Sequence, residues 1–405
     1  MKPGQTASNT IHLPRGFSFA AVVAGIKPSG RPDLAFAEAA AGTTAAALFT
    51  KNRVAAAPVE IGREFVARTR GRVRALIVNA GNANCATGPA GLRGCQRVCE
   101  EVARLLGIHV EKVFPSSTGI IGVPFPAPQI VSTIPELLNA RAASEQAVRQ
   151  FAEAIMTTDT KPKLASTCFR SKRGCINLLG IAKGSGMIHP QLATMLVYLF
   201  TDVAAKPAEL RQLLRAVGDQ TFNRISVDGD TSTNDTVLLL ASGQSGINLG
   251  QAGVQARFRR ALLKICQSLA QQIVSDGEGV KHVVRVRIEQ APSQSEALRV
   301  ARVIAHSLLV KTAWAGADPN WGRILAAVGR SGVAIDPNRV NISIGDQLVC
   351  RRGLSCPFDS QKAHTEMSKP SYEIRVQLGC GRARAEYMTA DLTAEYVRIN
   401  AEYST

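Results

Sequence analysis

The stretch Lys183-Gly184-Ser185-Gly186-Met187-Ile188-His189-Pro190-Gln191-Leu192-Ala193-Thr194 runs from a glycine-rich loop into a small residue, a threonine and then the apolar run Met195 to Phe200. A threonine hydroxyl is a weak nucleophile until a base takes its proton. The α-amine of the same residue can be that base once the preceding peptide bond is cut. Scission of Ala193–Thr194 would therefore create a nucleophile and its base together. Spacing alone favours a plainer use of these residues, a tight turn between two strands. A phosphate loop is excluded because the order is Lys183-Gly184-Ser185 rather than Gly-Lys-Ser/Thr. A dinucleotide fingerprint is excluded because His189 stands where its third glycine belongs.

Other clusters bear on the same chemistry. An acyl transfer needs donors aimed at the developing oxyanion. Ser116-Ser117-Thr118-Gly119 offers a backbone N–H beside a glycine and a threonine hydroxyl, although such clusters more often mean loop. Thr157-Thr158-Asp159-Thr160 reads mainly as capping and turn residues. Asp228 to Asp235 is acidic like a calcium loop, but Thr233 holds the position that needs Gly and Leu239 the one that needs Glu, so calcium is rejected. A polar loop lining a cleft is the remaining reading. Asp276-Gly277-Glu278-Gly279 either stops a helix or holds a carboxylate suited to an amine. The six histidines have no metal-ligand spacing, and the nine cysteines include no Cys-x-x-Cys pair. Reduced, mostly buried thiols are expected, with neither a disulfide framework nor a metal site.

The elements that must position these groups alternate between strand and helix. Val73 to Val78, Cys175 to Ala182 and Thr194 to Phe200 read as strands. Leu92 to Leu106, Glu145 to Met156, Pro207 to Asn223, Val254 to Val274 and Glu296 to Leu309 read as helices. Val284, Val286 and Ile288 alternate with Arg285 and Arg287, the pattern of a half-exposed strand. Pro115 to Gly119 reads as a loop. Strand signals dominate from about Val340, with Tyr396 to Asn400 the last of them. The sum is layered α/β packing. The loop before Thr194 is the best candidate for a break, dividing the chain into 1–193 and 194–405.

With 405 residues, 45% of them hydrophobic, the chain can bury a large core as two domains or one α/β unit with a lobe. No apolar run approaches the ~20 residues that span a bilayer, and Met1 to Gln5 has no signal core, so a cytoplasmic, membrane-free protein is expected. The net charge of +17 raises nucleic-acid binding, but the basic residues are dispersed and no nucleic-acid motif accompanies them. A basic surface also attracts acidic small molecules.

Taken in order, these blocks resemble the ornithine acetyltransferase (glutamate N-acetyltransferase) family of arginine biosynthesis. The likeness runs from Phe49-Thr50-Lys51-Asn52 through Val78 to Asn84, Ser116 to Gly119, Thr157 to Thr160, Lys183 to Leu196, Asp228 to Thr236, Asp276 to Gly279 and Gly316 to Arg323, to Tyr396 to Thr405. The resemblance implies an α/β fold like that of N-terminal-nucleophile enzymes with different connectivity. It implies self-cleavage at Ala193–Thr194, giving an α chain 1–193 and a β chain 194–405, commonly assembled as α2β2. Thr194 would be the nucleophile, with Thr118 and Gly119 forming the oxyanion hole. Thr157, Lys183, Thr194, Glu278, Asn400 and Thr405 match substrate-binding positions. The implied reaction moves acetyl from N-acetylornithine to glutamate without cofactor or metal, and acetyl-CoA is left open as a second donor. The alternative is a self-activated N-terminal-threonine amidohydrolase or aminopeptidase. The chain departs from the family pattern at His189, at Gln191-Leu192, at Trp314-Ala315 and at Val280-Lys281, where the Glu278 loop is one residue shorter.

Overall fold

The computed structural model describes residues 10–189 and 195–402. In the first part the strands are β1 (Phe17–Val22), β2 (Leu34–Ala39), β3 (Thr44–Phe49), β4 (Ala75–Asn82), β5 (Val113–Ile120), β6 (Lys163–Ser171) and β7 (Gly174–Lys183). In the second they are β8 (Leu196–Thr201), β9 (Ile225–Ser226), β10 (Thr236–Ala241), β11 (Val283–Ala291), β12 (Asn341–Ile344), β13 (Gln347–Arg351), β14 (Leu354–Ser355), β15 (Ser371–Gln377) and β16 (Ala383–Ala390). They form three sheets, ordered β1-β2-β4-β5, β3-β10-β8-β7-β6 and β14-β13-β12-β15-β11-β16-β9.

The first two sheets pack face to face. Strand β8 shows why. Its residues are all buried, but they alternate between two cores: Leu196, Tyr198 and Phe200 face the first sheet, while Val197 and Leu199 face the helices behind. A strand with helix or sheet on both sides must be apolar throughout, which is why β8 and β10 read as unbroken hydrophobic runs. Helices α1 (Ala57–Arg68), α2 (Gly88–Leu106) and α3 (Ala127–Asn139) cover the outside of the first sheet. Helix α4 (Glu145–Ala154) sends Phe151 between the sheets, edge-on to Phe19 and Tyr198. Helices α5 (Pro207–Gly218) and α6 (Val254–Ser275) cover the outside of the second sheet. The result is a four-layer helix–sheet–sheet–helix body.

The third sheet carries its own core under α7 (Gln294–Ala305), α8 (Leu308–Ala315), α9 (Trp321–Gly329) and α10 (Ser360–Met367). As the alternation predicts, Val284, Val286 and Ile288 are buried there and Arg285 lies on the exposed face. A last helix, α11 (Ala394–Glu402), follows β16. The lobe is tied to the body by β9, which pairs in parallel with β16 through Met388↔Ile225 and Thr389↔Ser226.

Several expectations are corrected. Tyr396 to Asn400 lies in helix α11, not in a strand. Its alternation of apolar and polar residues is outweighed by Thr393, which accepts the Tyr396 N–H, and by Arg398 paired with Glu395 and Glu402 one turn either way. Pro115 to Gly119 lies in β5. Pro115 fits there because β5 is an edge strand, pairing only with β4. The single helix over Glu296 to Leu309 is two, broken at His306-Ser307. The break at residue 194 does not separate folding units, because β8 lies between β7 and β10 within one sheet. The spatial division falls instead between α6 and β11.

Candidate active site

A cavity of about 210 Å³ opens where the two sheets of the body, the loop after β9, the loop after α6 and helix α11 meet. Thr118, Gly119, Thr157, Lys183, Glu278 and Asn400 all line it, together with Asp228, Asp230, Asn234 and Tyr396. Positions scattered along the sequence between Thr118 and Asn400 thus converge on one space. Ala193, Thr194 and Thr405 lie outside the described residues. The described residues next to the first two are fixed. Leu196 pairs with Lys183 across β8 and β7, and the Met195 N–H donates to Asp235 Oδ1 at 3.0 Å.

One wall is built from buried charge. Lys163 Nζ bridges Asp159 Oδ1 and Asp276 Oδ2, each at 2.6 Å. Asp159 also accepts the Gly184 N–H at 2.7 Å and the Thr157 N–H at 3.1 Å. It therefore holds together the Thr157 turn and the end of β7. Burial pushes the Asp159 carboxyl up, but the charges of Lys183 and Lys163 and the Gly184 N–H outweigh burial and hold it at about 2. Asp276 accepts the Thr160 N–H at 3.1 Å, which ties the loop after α6 to the same turn.

From this scaffold Lys183 projects into the cavity. Its Nζ donates to Thr157 Oγ1 at 2.8 Å and to Thr118 Oγ1 at 3.1 Å. Burial lowers the Lys183 ammonium against the pull of Asp159. Because Thr118 Oγ1 accepts from Lys183, its own O–H remains to donate elsewhere, and the ammonium strengthens it as a donor. Gly119 beside it has φ +131°, and a Cβ there would collide with the Gly81 backbone. No other residue lets the end of β5 pass so close to β4. Behind them Ser117 donates to Asn79 Oδ1 at 2.5 Å, and Asn234 Nδ2 donates to the carbonyls of Ser117 and Ala83.

The opposite wall is acidic and less paired. Glu278 accepts from Asn400 Nδ2 at 2.8 Å, and its backbone N–H donates to the Ser185 carbonyl at 3.1 Å. A Cβ on Gly186 would run into the Glu278 carboxylate, so the glycine-rich loop can pass Glu278 only as glycine. Asp228 accepts the N–H groups of Met187 and Ile188, and Tyr396 Oη lies 3.4 Å from it. Burial raises the Asp228 carboxyl to about 6, against the N–H groups of Asp230 and Met187, and the charges of Asp230 and Glu278 add to the rise. Asp235 is pushed well up by burial, only partly offset by the Met195 N–H and Lys183. Thr393 donates to the Gly279 carbonyl at 2.7 Å while capping α11. Glu278, Tyr396 and Asn400 are thereby held as one unit.

His189 does not act from this cavity. Its Nδ1 meets His306 Nε2 at 3.2 Å, and burial lowers both imidazoles, His306 to about 3. Among the described residues no group of three or more His, Cys, Asp or Glu side chains is arranged to hold a metal ion, and no helix is long and apolar enough to cross a membrane. The polar reading of Asp228 to Asp235 as a cleft lining holds. Thr157 to Thr160 forms a turn, as read, and its Asp159 also organises the site. Sequence reasoning missed Lys163 altogether. Nothing in the run Lys161-Pro162-Lys163 distinguishes a buried ammonium from a solvated one.

Residues 18–405 match the ArgJ family. The chain is 45% identical, over 98% of its length and 100% of the relative's, to the arginine biosynthesis bifunctional protein ArgJ of Thermus thermophilus. It is also 45% identical, over the same shares, to the glutamate N-acetyltransferase of Methanopyrus kandleri. A crystal structure of arginine biosynthesis bifunctional protein ArgJ from Bacillus halodurans is 39% identical, with a TM-score of 0.49 over 51% of this chain and 98% of that one.

Proposed function

The chain belongs to the ArgJ family, and from that premise we propose that it is an acetyltransferase carrying an acetyl group from N-acetylornithine to glutamate on Thr194. The observation that carries the reading is the convergence of Thr118, Gly119, Lys183 and Glu278 on one small cavity, beside the point where β8 begins. The space suits an amino-acid-sized substrate rather than a polymer.

The chain cleaves itself at Ala193–Thr194, and the freed amine of Thr194 takes the proton from its own hydroxyl. The alkoxide oxygen attacks the acetyl carbonyl of N-acetylornithine. The resulting oxyanion accepts from the Thr118 O–H, which Lys183 leaves free to donate, and from the Gly119 N–H. Collapse breaks the C–N bond, and the α-nitrogen of ornithine leaves with the proton. The acetyl group remains as an ester on Thr194. The glutamate amine then attacks that ester through the same oxyanion, regenerating the threonine. Glu278 and Asp228 face the cavity as partners for substrate ammonium groups, and Thr157 and Asn400 supply polar contacts. Asp235 holds the Met195 N–H and so fixes the residue that follows the nucleophile. The chain's own groups suffice for each step, so no cofactor is invoked. Thr405 is proposed as a further substrate-binding residue. Because β7 and β8 share a sheet, the two pieces stay together after cleavage, and we assign the assembly as α2β2 in the cytoplasm.

The test is the denatured intact mass of the wild type beside Thr194→Ala, followed by product analysis. Pieces matching 1–193 and 194–405, an uncut variant, and acetylglutamate formed only when glutamate is present are expected. Acetate released at the same rate with or without glutamate would instead indicate a hydrolase.

A further inference from the structure

A second, larger cavity of about 500 Å³ lies in the groove between the body and the lobe, where helix α6 crosses the exposed face of β11 and β16. Its walls carry four guanidinium groups: Arg224 from the turn before β9, Arg285 and Arg287 from β11, and Arg384 from β16. The pairing of β11 with β16 sets Arg285 beside Met388 and Arg287 beside Glu386 on the same face. Among the described residues Glu386 is the single carboxylate in the lining. Glu289 at 2.7 Å and Glu386 at 3.9 Å offset Arg287. Arg224, Arg285 and Arg384 form no ion pair among the described residues; Arg285 meets only the amide of Gln271 at 3.3 Å, and Arg224 the Asp219 carbonyl. Arg224 is half-buried, and burial lowers its guanidinium despite Glu386 and Asp219. Like charges crowded into a groove repel one another unless an anion joins them.

The groove is also wired to the catalytic cavity. Ile225 of β9 lines it, and three residues later the same segment presents Asp228. Gln267, Ala270 and Gln271 of α6 line it, and the helix ends directly at Asp276 and Glu278. Ser226 Oγ, on β9, donates to the Ile188 carbonyl at 2.7 Å, in the loop that leads to Thr194.

We infer that this groove is an effector site for a small phosphate-chain anion, held by Arg224, Arg285, Arg287 and Arg384, and that its occupancy shifts Asp228 and Glu278 through β9 and α6. Guanidinium forks match phosphate oxygens in pairs, and the glutamine amides of α6 add neutral donors. The coupling half of the inference rests on the acetyltransferase reading; the binding half does not.

The experiment is calorimetric titration of the whole purified protein with inorganic pyrophosphate and, separately, with ATP, at low and at physiological salt. The double variant Arg285→Glu with Arg384→Glu is titrated in parallel. Both positions are exposed on a sheet face, so the variant should keep the wild-type melting temperature and its acetyl-transfer rate without effector. Pyrophosphate should bind the wild type, and affinity should fall about tenfold or more in the variant and with added salt. Similar affinities for pyrophosphate and ATP assign the site to a free phosphate chain, and clearly tighter ATP binding assigns it to a nucleotide. Absence of wild-type binding, or binding indifferent to the charge reversal, overturns the site. For the coupling, saturating pyrophosphate should change KM for the acceptor about fivefold or more in the wild type only. Binding that leaves the kinetics unmoved overturns the coupling, and binding heats stay readable even if the chain transfers no acetyl group.

Discussion

The two walls of the candidate catalytic cavity hold buried charge in opposite ways. On the Lys183 wall every charge has a partner of opposite sign: Asp159 and Asp276 share Lys163 at 2.6 Å, and Asp159 is held at about 2. On the Asp228 wall the carboxylates have N–H groups and each other but no ammonium within ion-pair distance among the described residues, and Asp228 sits at about 6. Burial alone therefore does not set a charge state; it is decided by what is buried alongside. The paired wall is a rigid frame for Thr118 and Thr157. The unpaired wall has room for a substrate cation, which would supply the missing positive charge.

The largest effect should come from breaking the paired wall. Lys163→Met leaves two carboxylates buried without their common partner. It should cost about 3–5 kcal/mol of stability, read by denaturant unfolding at neutral pH. A loss well below that range would mean that the two walls do not differ as described.

Next is the donor that the frame positions. Thr118→Ala should lower the transfer rate about 10²–10³-fold with little loss of stability, measured by steady-state kinetics beside thermal unfolding. Near-wild-type turnover would remove Thr118 from the oxyanion site.

The walls should also titrate with opposite sign. The folded state depresses Asp159, so its stabilisation is present above the unfolded value near 3.8 and is lost as pH falls toward 2. The folded state raises Asp228 from 3.8 to about 6. In that window the native protein binds more protons than the unfolded chain, so the contribution of Asp228 to stability falls as pH rises from about 4 to 6. Asp228→Asn should remove that fall, on the order of 3 kcal/mol. Parallel stability–pH curves for the wild type and this variant would contradict the raised carboxyl.

The smallest effect sharpens the acidic wall. Tyr396→Phe deletes a hydroxyl 3.4 Å from Asp228. It should cost about 0.5–1.5 kcal/mol, seen as a modest change in KM with kcat nearly kept.

Much of this was legible before the fold. The strands β4, β7 and β11 follow from apolar runs and alternation, and helices α2, α5 and α6 from apolar spacing, because those signals are local. The ordered blocks identified the family and the positions that meet in the cavity. Local signals also misled, and for physical reasons. Tyr396 to Asn400 alternates like a strand, yet a capping threonine and ion pairs one turn apart make it a helix. Pro115 looked like a loop residue because the edge position that tolerates it exists only in the assembled sheet.

The sequence by itself determined which residue types could do acyl transfer, their order along the chain and the glycines that let strands and loops pass closely, since these depend on covalent identity and short-range sterics. Only the tertiary structure decided that Lys163 is buried between two aspartates, that Lys183 donates to Thr118, that Asp159 is ionised while Asp228 is raised, and that four arginines share a groove behind the active site. Each of these depends on distances and desolvation set by segments far apart in the chain, which no local pattern encodes.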